Sequence, residues 1–447
     1  MKNLSIIIIT ALVLFSCKKK DTELTMEALP EQRIGEKLAD LRTRLTGAEA
    51  GWVGTLTTSA SPGNANMGGG YGFYMKFNPN ETVEMYSDIN ATSATTAKTS
   101  TYRVKWVMDA SLIFDTYNYI SLLQDPGPEA AGGTAANGLK SDIEFEYMYA
   151  NGDSIVLKGK KYQNKFVLRK ATAAQKASYE SGALQQSIDD AKAYNAATTN
   201  KYITMDGINN KVAFFLNASA KTATFQYVNN NDSIVTINGK FHFDLAGITF
   251  ADGFYLNGKR FTHGLLNAGV LKLYDIDGKE YIVNANSVPI LPLTKLLDYN
   301  GNYKNLYIGA SLPAGVTSGF NAIYQSSVAA FSARPTAGTW SLLDIKFTFT
   351  NSSTITIETR QTNGTIYFAR ATFKYQYDRV TGALTLSNPT YDNNWSALSA
   401  QLLPIQNFFL SGPFKVDWVV SSNPSVGTLG GLYRESDPTT FFYGLTQ

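Results

Sequence analysis

The sequence predicts a mainly β protein: tandem antiparallel barrels or sandwiches, with an N-terminal helix and a helical linker. Three observations carry this expectation. Tyr (26) and Phe (25) are abundant beside frequent Thr, Asn and Gly, a composition suited to pleated, half-buried surfaces joined by tight turns. Apolar and polar residues alternate with period two in segment after segment from residue 71 onward. Asn-Gly pairs begin at 137, 151, 238, 257, 300 and 363, and Asp-Gly pairs at 206, 252 and 277. Both dipeptides accept the positive φ that tight hairpin turns require.

The elements follow in order. Residues 31–50 read as a helix, because Ile34, Leu38, Leu41 and Leu45 form one apolar stripe between Pro30 and Gly51. Tyr71, Phe73, Met75 and Phe77 then alternate with Gly72, Tyr74 and Lys76, and Val83 and Met85 keep the period. Segments 102–107, 112–114, 143–147, 154–158 and 165–169 each fit a short strand. About eight strands in roughly 120 residues suit a small closed barrel, which leaves no sheet edge exposed. Residues 172–197, with Tyr179, Leu184, Ile188, Ala191 and Tyr194 near one face, read as a linking helix. Beyond residue 200 the strand pattern returns. Segments 345–350, 354–360, 365–377 and 383–387 make a meander, and 415–420 and 440–445 close the set. Between them 394–410 is helical, with a kink expected at Pro404. Segments 153–160 and 232–240 resemble each other at a period of 79 residues, a short match open equally to a duplicated hairpin and to chance.

The N-terminus reads as an export signal. Lys2 precedes an apolar run at 6–15 that is too short for a membrane span of about 20 residues. Leu14-Phe15-Ser16-Cys17 resembles the lipobox at which bacterial lipoproteins are acylated and cleaved, and Cys17 is the single cysteine of the chain. Two acyl chains are enough for stable anchoring, so Cys17 is the expected lipidation site and the membrane an expected partner. Lys18-Lys19-Lys20-Asp21-Thr22-Glu23 partly matches the charged tracts that send such proteins to the outer face of the outer membrane. The expected organisation is a signal peptide at 1–16, a lipidated tether at 17–30, and an N-terminal helix plus β-barrel domain at 31–171. A helical linker at 172–198 and a C-terminal β domain at 199–447, with a division near 296, complete it.

Little in the sequence points to catalysis. Charged residues make up 17% of the chain and the formal net charge is +3, which argues against a nucleic-acid partner. The two histidines, His242 and His263, lack the spacing of a metal pair, and no cofactor motif is present. Asp142, Glu144 and Glu146 alternate and read as a polar strand face. Asp275-Ile276-Asp277-Gly278-Lys279-Glu280 imitates the start of a calcium loop without the later ligands, and reads as a hairpin turn. Gly68-Gly69-Gly70 has no Lys-Ser/Thr after it, and no Gly-x-Ser-x-Gly elbow appears. Trp395, Tyr391 and Trp106 are the candidate ligand-stacking residues, Trp395 being placed in a polar, exposed loop. Ser154 and Ser233, each after Asp and before an apolar residue, are candidate glycosylation sites.

The order of motifs carries a resemblance. The helix runs into Gly51-Trp52, followed by Tyr71-Gly72-Phe73-Tyr74-Met75-Lys76-Phe77, Val83-Glu84-Met85-Tyr86-Ser87-Asp88, Leu112-Ile113-Phe114-Asp115-Thr116-Tyr117-Asn118 and Asp142-Ile143-Glu144-Phe145. This resembles a Bacteroides-type lipoprotein family built on a domain of unknown function and encoded near SusC/SusD-like uptake pairs and a secreted zinc metallopeptidase. The Trp-led first strand and the strand count are also similar to lipocalin-like barrels. The resemblance implies an outer-membrane, cell-surface lipoprotein acting as a non-catalytic binding or accessory subunit of a nutrient-uptake system. The partners it implies are the transporter pair or the metallopeptidase; the ligand candidates, a glycan or a small apolar molecule, come instead from the aromatic residues, which suit stacking on sugar rings or closing a lipophilic cavity. A lipocalin-like carrier and a carboxylate-dependent hydrolase are the alternatives.

Overall fold

The computed structural model describes residues 30–317, 319–335 and 338–447. The expected signal peptide, Cys17 and nearly all of the tether lie outside the described residues. Within them the chain is mainly β, with three eight-stranded antiparallel sheets, two of them closed barrels, and an N-terminal helix.

Helix α1 (Pro30–Thr46) opens the described chain and buries Leu41 and Leu45. It ends four residues before the sequence pattern suggested; Trp52 then begins the first strand and donates its indole N–H to the Leu45 carbonyl at 2.9 Å. The first barrel runs β1 (Trp52–Thr57), β2 (Gly70–Phe77), β3 (Thr82–Ser87), β4 (Lys98–Val107), β5 (Asp109–Phe114), β6 (Glu144–Asn151), β7 (Ser154–Gly159) and β8 (Lys165–Lys170). It closes where β1 pairs β8, from Trp52↔Lys170 to Leu56↔Phe166. Aromatic side chains pack across its interior: Phe77 on Tyr102 at 4.9 Å, Phe145 on Phe166 at 5.0 Å and Phe114 on Phe145 at 6.2 Å between ring centres. Eight strands leave an interior that side chains of this size fill. Gly54 makes room for them, since a Cβ there would stand 3.0 Å from the Phe166 ring.

The linker is two helices, α2 (Ala173–Glu180) and α3 (Ala183–Ala197), where one was expected. Gly182 stands between them at φ 80°, a left-handed conformation that stops a helix and that glycine adopts without steric penalty. The chain divides into two compact units there. The first holds the stretch ending at Leu56 with Phe73–Glu180, and the second Thr57–Gly72 with Ser181–Gln447.

The second unit contains both remaining sheets. The middle sheet runs β9 (Tyr202–Met205), β10 (Ile208–Asn217), β11 (Thr222–Val228), β12 (Ile234–Asp244), β13 (Gly247–Leu256), β14 (Lys259–Asn267), β15 (Val270–Asp275) and β16 (Glu280–Ile282) in sequence order. A single bridge, Tyr202 with Asn284 through two backbone hydrogen bonds of 2.9 and 2.8 Å, joins its first strand to the residues just past its last. The last barrel runs β17 (Asn305–Ile308), β18 (Ser341–Asn351), β19 (Thr354–Thr362), β20 (Ile366–Tyr377), β21 (Ala383–Tyr391), β22 (Phe414–Val419), β23 (Leu429–Arg434) and β24 (Asp437–Thr446). It closes through β17 and β24. Helices α4 (Asn321–Ser332), α5 (Asn393–Ala397) and α6 (Ser399–Leu410) belong to it, and the break at Leu398 falls before Pro404, which α6 contains.

Turn chemistry is met in part. Asn151-Gly152, Asp206-Gly207, Asn257-Gly258 and Asp277-Gly278 sit at hairpins, the glycines at φ 56–80°. Asn238-Gly239 and Asp252-Gly253 do not turn; they lie inside β12 and β13. Gly239 is there for space: a Cβ would meet the Phe254 ring at 2.5 Å. The two segments of the 79-residue similarity each begin at a hairpin turn, between β6 and β7 in the first barrel and between β11 and β12 in the middle sheet.

Candidate functional site

The second unit carries a cleft of about 500 Å³, within the usual size range of small-molecule sites. One wall is the outer face of the middle sheet. Strand alternation turns Phe225 into the core and Gln226 outward, and Phe215 and Thr236 on the neighbouring strands share that outer face. Phe215 is 49% exposed, a large ring left open on a sheet face. Gln226 Nε2 donates to Thr236 Oγ1 at 3.1 Å, which fixes the amide across the pair.

The other wall comes from chain that follows the sheet: Ile290, Leu291, Leu296, Asn302 and Tyr303. Trp418 of the last barrel holds this segment by donating its indole N–H to the Leu291 carbonyl at 2.8 Å. Arg379 holds the short helix Leu293–Leu296, donating to the Thr294 and Lys295 carbonyls at 3.0 and 2.8 Å and to the Asp298 carboxylate at 3.1 Å. Lys295 in turn pairs with Asp232 at the β11–β12 turn, tying the two walls together. Lys201 brings an ammonium to the lining. Its Nζ donates to the Asn195 and Thr198 carbonyls at 3.2 and 2.8 Å, and burial lowers its pKa from the ordinary lysine value. The lining therefore mixes amide, hydroxyl and aromatic groups with an aliphatic patch of Ile234, Pro289, Ile290, Leu291 and Leu296, and has one cation and no carboxylate. Such a lining offers hydrogen bonds together with ring and aliphatic contact, and holds no pair of acids spaced for hydrolysis.

The residues singled out in the sequence lie elsewhere. Trp395 is 1% exposed, which removes it as a surface stacking platform. The stretch read as a polar loop is a helix start: Asp392 caps α5 by accepting from the Trp395 amide at 2.7 Å, and the indole turns inward to donate to Gln406 Oε1 at 3.0 Å. Tyr391 stacks on it at 5.9 Å, so the structure brings those two together inside the last barrel. The Tyr391 hydroxyl and the buried Gln361 Nε2 find no protein partner, places an ordered water would fill. Trp106 belongs to the first unit and is 39% exposed. Ser233 is exposed beside Asp232, and Ser154 is half-buried at the start of β7.

Asp142 precedes β6 and faces inward, accepting from the Lys161 and Tyr162 amides at 2.7 and 3.1 Å, so the expected row of three acids is a row of two. Asp275 is buried and closes its hairpin, accepting from the Asp277 and Lys279 amides and the Tyr281 hydroxyl at 3.0, 2.9 and 3.1 Å. His242 is buried, and His263 stacks on Tyr274 at 4.9 Å. Among the described residues no three His, Cys, Asp or Glu side chains gather as metal ligands, and no helix is long and apolar enough to cross a membrane.

Comparison with known proteins gives a family. No curated protein matches the chain. Solved structures with some likeness include a protein of unknown function of the DUF3598 family from Nostoc punctiforme, at 10% identity over 74% of this chain and 96% of that one, TM-score 0.15. The β chain of DNA polymerase III from Streptococcus pneumoniae follows at 6% over 92% and 97%, TM-score 0.14. A Trp-176-Ala mutant of transferrin binding protein B from Haemophilus parasuis stands at 10% over 88% and 74%, TM-score 0.14. Scores this low carry no functional weight. The model of a "Domain of unknown function (DUF4302)" matches residues 23–266, more than half of the 447 residues, and the chain belongs to that family.

Proposed function

We propose that this protein is a lipoprotein of the outer-membrane surface that serves as a non-catalytic binding subunit of a nutrient-uptake system and takes a glycan in the cleft of its second unit. The observation that carries the reading is the cleft itself, about 500 Å³ walled by Phe215, Gln226, Thr236, Asn302 and Tyr303. The export signal and the lipobox-like Leu14-Phe15-Ser16-Cys17 support the location, and the resemblance to lipoproteins encoded beside SusC/SusD-like pairs supports the partner. A carboxylate-dependent hydrolase draws less support, because the cleft lining contains no acid. A lipocalin-like carrier of a small apolar ligand stands second on the strength of the closed barrels, although aromatic side chains occupy the interior of the first.

The test is an oligosaccharide array probed with the full-length protein and with Thr236→Trp. Thr236 is exposed, so the substitution leaves stability within about 0.5 kcal/mol while its indole fills the cleft. Binding to a set of oligosaccharides that falls at least tenfold in the variant is expected. Binding that is equal in both proteins, or absent in the wild type, contradicts the assignment.

A further inference from the structure

The β4–β5 hairpin of the first barrel ends in three consecutive exposed apolar residues, Trp106, Val107 and Met108, at 39, 38 and 90% exposure. Strand β6 runs antiparallel to β5, and its exposed Met148 and Tyr149 lie past the Ser111↔Glu146 pair, at the end of the ladder where β5 begins. A run of this kind on a soluble surface works against folding and solubility unless it has a use. The turn adds a second sign. Met108 alone separates the paired Val107 and Asp109, and it sits at φ 69°, where a non-glycine residue costs about 1–2 kcal/mol. A polar Asn, Asp or Gly would fit the turn better, so the methionine is held there for its side chain.

What covers this tip follows from the number of residues between Cys17 and α1. Lys37 of α1 pairs with Asp109 at 3.0 Å, and Arg42 donates to the Val104 carbonyl at 2.8 Å. Helix α1 therefore runs antiparallel to β4, and its first turns lie at the hairpin tip. Between Cys17 and the start of α1 stand residues 18–29, twelve in all, which reach at most about 40 Å when extended. A lipid on Cys17 would hold the bilayer within about 40 Å of the start of α1, in reach of the tip. Lys105 is exposed one residue before Trp106, and Lys160 donates to the Val107 carbonyl, so two ammonium groups flank the apolar residues, while Asp109 on the far side is neutralised by Lys37. An indole with flanking lysines is the pattern of a segment seated at the headgroup level, the lysines reaching back to the phosphates.

We infer that the β4–β5 tip, Trp106-Val107-Met108, inserts into the membrane interface and makes a second contact beside the lipid anchor, which fixes the orientation of the first barrel on the bilayer. This rests on the anchor assigned to Cys17 under the proposed function.

The test uses the full-length lipidated protein in vesicles of phosphatidylethanolamine and phosphatidylglycerol doped with acyl-brominated phosphatidylcholine. Of the five tryptophans, Trp106 is the only one not buried, so quenching by bromine reads the tip alone. Wild-type protein is expected to float with the vesicles and to lose part of its emission to the brominated lipid. Trp106→Phe is expected to float equally and lose the quenchable part. Met108→Asp, which keeps the turn and removes the apolar tip, is expected to float with much weaker quenching. Flotation of the wild type without quenching overturns the insertion and leaves the anchor standing. Failure of the wild type to float overturns the anchor, and the insertion with it.

Discussion

At the scale of single residues, the structure assigns most polar groups to the fold. Asp275 is the clearest case. Burial pushes its pKa up, but the Lys279 amide, the Tyr281 hydroxyl and the Asp277 amide outweigh that, and the carboxyl titrates below its ordinary value. A folded pKa below the unfolded one means that the unfolded chain takes up the proton first, so acid weakens the fold. The stability Asp275 adds is complete above about pH 4, the unfolded carboxylate value, and is lost as pH falls through its depressed folded pKa. Urea unfolding of wild type and Asp275→Asn should therefore show a margin at neutral pH that closes in acid; a margin constant with pH contradicts this. Sequence reading found Asp275 as a turn residue because the Asp277-Gly278 signature two residues on is local. It misplaced Trp395, since the inward turn of that indole depends on the Asp392 cap and on Gln406 eleven positions later. It misread Asn238-Gly239 for a related reason. A glycine selected for turning and one selected to admit the Phe254 ring look the same in one dimension.

At the scale of elements, alternation located seven of the eight strands of the first barrel, all but β1, and the stripe of α1, because those patterns are set by neighbours within a few residues. Element ends were less legible. The break at Gly182 divides a helix whose apolar spacing runs through it, and the β14–β15 turn uses Ala268-Gly269, at φ 48° and 76°, where the expected pair would have been Asn-Gly or Asp-Gly. Arg379 shows how one side chain can hold an element. It joins the loop after β20 to the short helix Leu293–Leu296 through two carbonyls and the Asp298 carboxylate. Arg379→Ala removes all three bonds and leaves the buried Asp298 with less compensation, at a cost of about 2–3 kcal/mol. Arg379→Lys recovers only part, since an ammonium cannot reach three acceptors in the guanidinium's fixed fork. Thermal unfolding should rank wild type above the lysine variant and the lysine above the alanine. Equal melting of all three would show that the wall of the cleft is held by other contacts.

At the scale of the molecule, the mainly β class was plain from composition and period, and a division near 296 was expected; the strand pairings on either side of it were not legible. Two eight-stranded sheets lie there, and what separates them is the long-range pairing of β17 with β24 and of Tyr202 with Asn284, which no local pattern announces. The cleft was invisible for the same reason. Its lining comes from positions 200–236, 289–303 and 428, ordinary strand faces and loops until folding sets them together. None of its residues was among those chosen from the sequence for their chemistry. What the sequence did carry is a lipobox-like Leu14-Phe15-Ser16-Cys17 and the resemblance, and these direct the central proposal, a surface lipoprotein that serves an uptake system. The most direct measurement is affinity isolation of the tagged, full-length protein from detergent-solubilised outer membrane, with quantitative mass spectrometry of what accompanies it. The account expects a SusC/SusD-like pair at close to one copy per copy of this protein. Recovery of the protein alone, or its absence from the outer membrane, would contradict it.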